Sequence, residues 1–162
     1  MKKAKDFMTE DRFWEIIEAS DHGKTLDTEL EQLSREEIMG YLYWWRHFHT
    51  ISYDQALWAV AYTVLGGCSD DGFDYFRFWL ITRGKTVFSE ALLNADSLCG
   101  LFELLTDDEY PEWEVVDYIP EKVFEKKFGA DFYAEEDKYD FERKPYPKIE
   151  FEWDEDDEKS IR

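Results

Sequence analysis

The sequence predicts a compact, mainly α-helical single domain with an acidic, partly extended C-terminal tail. Apolar residues recur at intervals of three and four along most of the chain, which is the spacing of one helix face. Residues that cap helix N-termini precede several of these runs, and glycines follow them. Phe, Tyr and Trp make up 19% of the 162 residues. A chain of this length buries roughly two-thirds of the surface that its unfolded form exposes, so a sizeable core is available.

The first third of the chain predicts three helices. Thr9 is a candidate N-cap, and Glu10 and Asp11 follow it in the first turn, where the helix dipole favours negative charge. A shorter helix is predicted between residues 26 and 33. Ser34 and Glu37 then have the spacing of a capping box. The apolar stripe that follows this box consists of Ile38, Tyr41, Leu42, Trp45 and Phe48.

The middle of the chain predicts a helical hairpin at the centre of the fold. Residues 53–65 are apolar on nearly every side and are predicted to form the central buried helix. The pair Gly66–Gly67 favours a turn. A second helix is expected over residues 71–83, with Gly84 as its C-terminal stop.

The remaining elements rest on single residues. Thr86 and Asp96 are candidate caps for two short helices, and Pro120 is expected to kink or divide a later helix that ends at Gly129. Residues 149–153 alternate apolar and acidic side chains, which is typical of an extended strand. No obvious partner strand for this segment is found in a helical chain.

The helical domain is assigned to residues 8–129 and the acidic tail to residues 130–162.

The net charge of the chain limits the classes of molecule that it is expected to bind. The 39 acidic residues exceed the 19 basic residues and give a formal net charge of −20. Such a field repels the phosphates of nucleic acids and anionic lipids, and it accelerates encounter with a basic protein. We therefore expect no direct nucleic acid binding, no membrane association, and a basic protein as partner.

Cysteine and histidine usage gives no metal or redox site. Cys68 and Cys99 both lie in apolar stretches, and a start without an apolar signal run favours a cytoplasmic protein with reduced thiols. His47 and His49 fall on roughly opposite sides of their predicted helix, so they do not ligate one ion together, and His22 lies in a loop. The spacing of these residues supports no zinc site, and no metal or cofactor is expected.

Several stretches together resemble a bacterial family. The matching stretches are Met8–Trp14, Leu57–Tyr62, Gly66–Ile81, Gly84–Lys85 and Ala95–Leu98. The chain is similar there to the domain-of-unknown-function family 4240, over roughly residues 8–105. This resemblance implies a small bacterial intracellular domain. It carries no reaction, cofactor or catalytic residue.

The most chemically distinctive cluster is formed by Asp70, Asp71, Asp74 and Arg77. In a helix that begins near Asp71, positions 70, 74 and 77 share one face. Asp70 and Asp74 could therefore both reach Arg77, while Asp71 caps the helix. The structural interpretation is an acidic helix N-terminus with an internal ion pair.

The functional interpretation of the same cluster is a binding site. Its carboxylates would bind a cation or a basic side chain, or act as general acid and base, in a pocket edged by Trp58 and Tyr62. A second candidate surface comes from Tyr43 and Trp44 beside Arg46, because the aromatic residues of that helix exceed one face. Exposed rings of this kind anchor protein interfaces.

Two functional hypotheses from different classes follow. The first is a non-enzymatic protein-interaction module, immunity or antitoxin-like, whose carboxylates cover a basic partner such as a toxin. The alternative is an enzyme or a small-ligand or cation binder that uses Asp70, Asp71, Asp74 and Arg77. A third possibility makes the acidic segment of residues 149–162 a phosphate mimic.

Overall fold

A computed structural model describes residues 1–151 of the chain and shows a mainly helical protein. The α-helices of this part are α1 (Glu10–Ala19), α2 (Leu26–Glu31), α3 (Arg35–Ile51), α4 (Gln55–Leu65), α5 (Asp70–Thr82), α6 (Lys85–Leu93), α7 (Cys99–Leu104), α8 (Ile119–Phe128) and α9 (Phe132–Glu136). Three 3-10 turns cover Ala4–Phe7, Ala95–Leu98 and Val115–Tyr118. Two short strands, β1 (Lys2–Lys3) and β2 (Tyr139–Asp140), pair in parallel.

The predicted caps of the first helices are confirmed. The Thr9 side chain accepts a hydrogen bond from the backbone N–H of Arg12, and the Ser34 side chain accepts one from Glu37. Pro120 divides the later helix as expected, because it lies in the first turn of α8, directly after a 3-10 turn. These features depend on neighbours in sequence, which is why they could be predicted.

The core is built around α5 and the apolar stripe of α3. The stripe residues of α3 are all buried, as predicted. Every residue from Phe76 to Thr82 in α5 is buried. Residues 53–65 do contain a helix, α4, but the prediction that it is the central buried helix is wrong, because Thr63 and Val64 are exposed. The helix packs one face against the core and leaves the other to solvent.

Three predicted caps are also corrected. Ser69 caps α5 by accepting from the N–H of Gly72, so Asp71 lies inside the first turn. Gly84, at φ +101°, occupies the N-cap of α6 in place of Thr86. The side chain of Asn94 accepts from the N–H of Asp96, so Asp96 is capped and does not cap.

A close contact between α3 and the N-terminal turn depends on Gly40. A Cβ atom at this position would lie 2.7 Å from the Cβ of Met8 and 2.8 Å from the carbonyl carbon of Phe7. The second of these atoms belongs to the backbone and has little freedom to move. Glycine therefore lets the turn pack directly on α3.

Packed structure continues past residue 129. Phe132 of α9, Tyr139 of β2 and the following Phe141 are buried in the same core as the helices. Glu142 forms salt bridges with Lys3 and Lys5 at 3.0 and 2.9 Å. The N-terminal strand and the segment that follows α9 are thus joined by backbone pairing and by charge.

The final described residues differ from the predicted strand. Residues 149–151 have no strand pairing, although Ile149 packs partly on the core and the Phe151 ring lies 5.4 Å from that of Trp58. The rest of the predicted segment, including Trp153, lies outside the described residues. Within residues 1–151, no helix combines the length and the apolar character needed to cross a membrane.

Candidate functional site

Arg77 is the most deeply buried charge of the described chain. It lies in the middle of α5, and its side chain is 1% exposed. One turn earlier, Asp74 places Oδ1 2.5 Å from the Arg77 Nη2. Arg77 Nη1 donates to the backbone carbonyl of His49, which ties α5 to the end of α3. The ion pair lies within α5, and the hydrogen bond to His49 is the contact through which the arginine joins α5 to α3.

Three aromatic rings surround the Arg77 guanidinium. Its central carbon lies 4.7 Å from the Phe73 ring centre, 5.1 Å from that of Tyr53 and 5.3 Å from that of Tyr146. Ring faces attract a cation and also exclude water from it. Burial lowers the pKa of Arg77, and Asp74 opposes this effect. A guanidinium stays protonated under these conditions because its ordinary pKa is so high.

His49 faces the same carboxylate from α3. Its ring stacks on Phe78 with 4.4 Å between ring centres, and its Nε2 lies 3.3 Å from the Asp74 Oδ1. This contact is long for a charge-assisted hydrogen bond, and apart from Asp74 the buried Nε2 has no polar partner among the described residues. The hydroxyl of Tyr146 lies 3.4 Å from Nδ1. Burial lowers the pKa of His49, so the ring is neutral at pH 7.

Asp117 supplies a second carboxylate nearby. It lies in the 3-10 turn before α8 and accepts a hydrogen bond from the indole N–H of Trp45 at 2.9 Å. Burial raises the pKa of Asp117, and this effect exceeds the lowering effects of the Trp45 bond, His49 and Arg46. No lysine or arginine forms a salt bridge with Asp117 within residues 1–151.

These groups lie in one cavity, which we call the His49 cleft. Its volume is about 560 Å³, within the range of small-molecule sites. We call His49, Asp74 and Asp117 the floor of the cleft, and we call the lining residues that follow β2, namely Phe141, Glu142, Arg143, Lys144 and Tyr146, its wall. The remaining lining residues are Tyr43, Trp45, Arg46, His47, Thr50, Ile51 and Phe78.

The structure separates the predicted cluster. Asp74 pairs with Arg77, but Asp70 and Asp71 have exposed side chains in the first turn of α5, and Asp70 forms no ion pair with Arg77. The expectation that Asp70 reaches the arginine is therefore wrong. The reason is that Arg77 extends inward toward His49, while the helix N-terminus stays at the surface.

The residues proposed as pocket edges lie on α4. Trp58 is buried, donates its indole N–H to the carbonyl of Cys68 at 3.0 Å, and stacks on Phe73 with 4.7 Å between ring centres. Tyr62 lies one turn further along α4 and is half-buried. Burial raises the pKa of the Cys68 thiol to about 11, and the nearby carboxylates Glu112 and Asp70 act in the same direction. This thiol is protonated at pH 7 and is a poor nucleophile.

The predicted aromatic patch is half-buried. The indole N–H of Trp44 donates to the carbonyl of Met8 at 2.8 Å, and Tyr43 lies parallel to His47 with 6.2 Å between ring centres. Tyr43 and Asp74 are the two predicted site residues that line the His49 cleft. Arg46, expected beside the patch, instead forms a bidentate pair with Glu136.

Sequence reasoning missed the cleft itself. Its floor combines His49, Asp74 and Asp117, which are separated by 25 and 43 residues along the chain, and its wall contains Tyr146 from the segment treated as a tail. A histidine at the end of an aromatic helix was the one available signal. Within residues 1–151, no three His, Cys, Asp or Glu side chains are placed to hold a metal ion.

Comparison with known proteins gives one family and no closer relative. The family model described as "Protein of unknown function (DUF4240)" matches residues 8–126, close to three quarters of the chain. Neither a curated protein nor a solved structure matches. The match contains the cleft floor and stops before the wall of residues 141–146.

Proposed function

Because the chain belongs to the DUF4240 family, whose description states no activity, we propose a function from its surface: a protein-interaction module that binds a basic protein. The observation that carries this proposal is the segment of residues 107–121. It contains seven carboxylates and no lysine, arginine or histidine. We call the exposed acids of this segment, namely Asp107, Asp108, Glu109, Glu112 and Glu114, together with Asp70 and Asp71 of α5, the acidic face; Asp117 of the same segment lines the His49 cleft instead.

The two parts of the acidic face are adjacent in space. The backbone N–H of Trp113 donates to the carbonyl of Tyr75 at 2.9 Å, which fastens the segment to α5. Asp71 and Glu114 both raise the pKa of Tyr75, together with its burial. The carboxylates therefore come from two elements and act on the same region of surface.

Large apolar side chains are exposed within this negative surface. Tyr110 is 59% exposed, Val115 is 52% exposed and Tyr118 is 43% exposed. The hydroxyl of Tyr118 donates to Glu114 at 3.3 Å, so ring and carboxylate are presented side by side. Protein interfaces combine anchors of this kind with a charged rim.

The chemistry of this face suits a partner rich in lysine and arginine. Carboxylates give long-range attraction and fast association, and tyrosine rings accept cation–π contacts once the partner has docked. A toxin with a basic active site, such as a nuclease, is a partner of this class, and an immunity or antitoxin-like role follows if the face covers that site. The acidic face and the net charge of −20 support the proposal.

The test is affinity capture from the native host with two charge-matched variants. The first replaces Asp107, Asp108, Glu112 and Glu114 by their amides. The control replaces four exposed acids outside the acidic face, namely Glu90, Asp96, Glu103 and Glu125. Each variant loses four of the 39 acidic residues, so the two have equal net charge.

The expected result is a basic protein that the wild type and the control capture and that the acidic-face variant loses. Its capture should weaken as salt rises, because the attraction is screened. Equal capture by both variants, or binding indifferent to salt, would contradict the proposal. A folded state for each variant is checked by far-ultraviolet circular dichroism before capture.

A further inference from the structure

Two groups of residues that line the His49 cleft carry charges of opposite sign. On the floor, the charge of Asp74 is met by Arg77 and His49 is neutral, which leaves Asp117 as the floor carboxylate without a cation in the described chain. Within residues 1–151, its carboxylate accepts one hydrogen bond, from the Trp45 indole N–H. A buried carboxylate of this kind favours a ligand that brings a positive charge.

The basic lining residues Arg46, Arg143 and Lys144, which we call the rim, have the opposite sign, and the one acid of the wall, Glu142, is paired with Lys3 and Lys5. Arg46 and Arg143 share one carboxylate, Glu136, at 2.6 and 2.8 Å. Lys144 lies beside them and forms no salt bridge within residues 1–151. A cationic rim is unexpected in a chain of net charge −20, which makes it a local feature of this cleft.

Aromatic and polar groups complete the lining between floor and rim. Tyr43, Phe78 and Phe141 offer ring surface, which suits an apolar body. The buried Nε2 of His49 is a further polar group at the floor, and the Asp74 Oδ1 lies 3.3 Å from it.

We infer that the His49 cleft binds a small zwitterion of the amino-acid class, with its ammonium group at Asp117, its apolar body against the rings and its carboxylate at Lys144. This site is separate from the acidic face and does not depend on the proposed partner. The geometry asks for both charges on one molecule, since floor and rim differ in sign. A cation alone would leave Lys144 unused, and an anion alone would meet Asp117.

The experiment follows the indole N–H resonance of Trp45 by NMR, because this proton is bonded to Asp117. The probes are the free L-amino acids. For the tightest of these, the two analogues that lack either the carboxylate or the amino group are compared with it. For phenylalanine these are phenethylamine and 3-phenylpropionate.

The expected result is a saturable shift of the Trp45 resonance by at least one amino acid, with both analogues at least tenfold weaker. Asp117→Asn should weaken amino-acid binding at least tenfold, whereas Asp96→Asn, at an exposed acid outside both the cleft and the acidic face, should leave it unchanged. Lys144→Gln should weaken binding of the amino acid and leave binding of its decarboxylated analogue unaffected. No shift with any amino acid, equal binding of the amine, or equal effects of Asp117→Asn and Asp96→Asn would overturn the inference.

Discussion

Replacing Arg77 by methionine tests whether the buried guanidinium, which pairs with Asp74 inside α5 and donates to the His49 carbonyl of α3, holds the two helices together. Methionine keeps the length of the side chain and its contacts with the rings, because a thioether packs well against aromatic residues. The substitution removes the ion pair with Asp74 and the hydrogen bond to the His49 carbonyl. The change therefore isolates the charge from the packing.

The surroundings of Asp74 and His49 indicate that the free energy of unfolding lost on Arg77→Met is near the low end of the range for broken buried ion pairs. Removing one partner of a buried ion pair costs about 3–5 kcal/mol, mainly because the other charge is left without a partner. Asp74 is 37% exposed on its side chain, so water can hydrate the freed carboxylate. The His49 carbonyl keeps a hydrogen bond from the Ser52 hydroxyl at 3.1 Å. We expect Arg77→Met to lower the free energy of unfolding by about 3 kcal/mol.

The assay is urea unfolding followed by circular dichroism at 222 nm. Arg83→Met is the matched control, because Arg83 lies in the cap of the same helix, stacks on Trp79 and donates to the His22 carbonyl at 3.1 Å. Arg83 also donates to the hydroxyl of the adjacent Thr82, but all its acceptors are neutral, so we expect its loss to cost only about 1 kcal/mol. A loss at Arg77→Met no larger than that at Arg83→Met, with unchanged dependence on urea, would refute the reasoning.

The remaining predictions concern close packing, the Asp117 carboxylate and pH. Gly40→Ala is expected to cost about 3 kcal/mol in urea unfolding, because its Cβ meets the backbone of Phe7 and Met8, whereas Gly100→Ala, which meets open space, should gain about 0.5–1 kcal/mol. Equal effects of the two would contradict the packing. Asp117→Asn is expected to raise the melting temperature at pH 7, because the raised pKa of Asp117 means that ionising this carboxylate costs more in the folded protein than in the unfolded chain. The gain in melting temperature should vanish below the ordinary pKa of 3.8, where the carboxyl group is protonated in both states. A lower melting temperature of Asp117→Asn at pH 7 would refute this prediction. The pKa of His49 is lowered below its ordinary 6.5, so between the folded value and 6.5 the unfolded chain holds more protons, and stability falls as pH drops through this window. Unfolding measured from pH 5 to pH 8 should show this fall in the wild type and less of it in His49→Gln; parallel profiles would exclude His49 as its source.

Features that depend on near neighbours in sequence could be predicted. Thr9 and Ser34 cap their helices, and Pro120 opens one, since each of these effects acts within one helical turn. The same local patterns predict Asp71 as the cap of α5, whereas the structure shows Ser69 in that role. Both residue types are good caps, so the pattern alone does not separate them. Local patterns identify a helix start to within one or two residues, and the choice between adjacent caps needs the structure.

Features that depend on distant contacts could not be predicted. Nothing local distinguishes an arginine paired at a helix start from one buried between helices, so the sequence predicts a pairing of Arg77 with Asp70 as well as with Asp74. The exposure of Val64 depends on which face of α4 meets the core, and an apolar pattern on every side gives no preferred face. The His49 cleft joins elements from α3 to the segment after β2, which no spacing in sequence indicates.

The pairing of β1 with β2 has a practical consequence for anyone who handles this protein. Phe141, the first residue of the cleft wall, directly follows β2, and Glu142 after it is held by Lys3 and Lys5. The first five residues therefore hold the start of the cleft wall in place, although the two segments are more than 130 residues apart in sequence. An affinity tag or a trimmed start at the N-terminus would loosen that wall without touching any residue that lines the cleft floor. Ligand screens are best made with an unmodified N-terminus, and the purification handle belongs elsewhere.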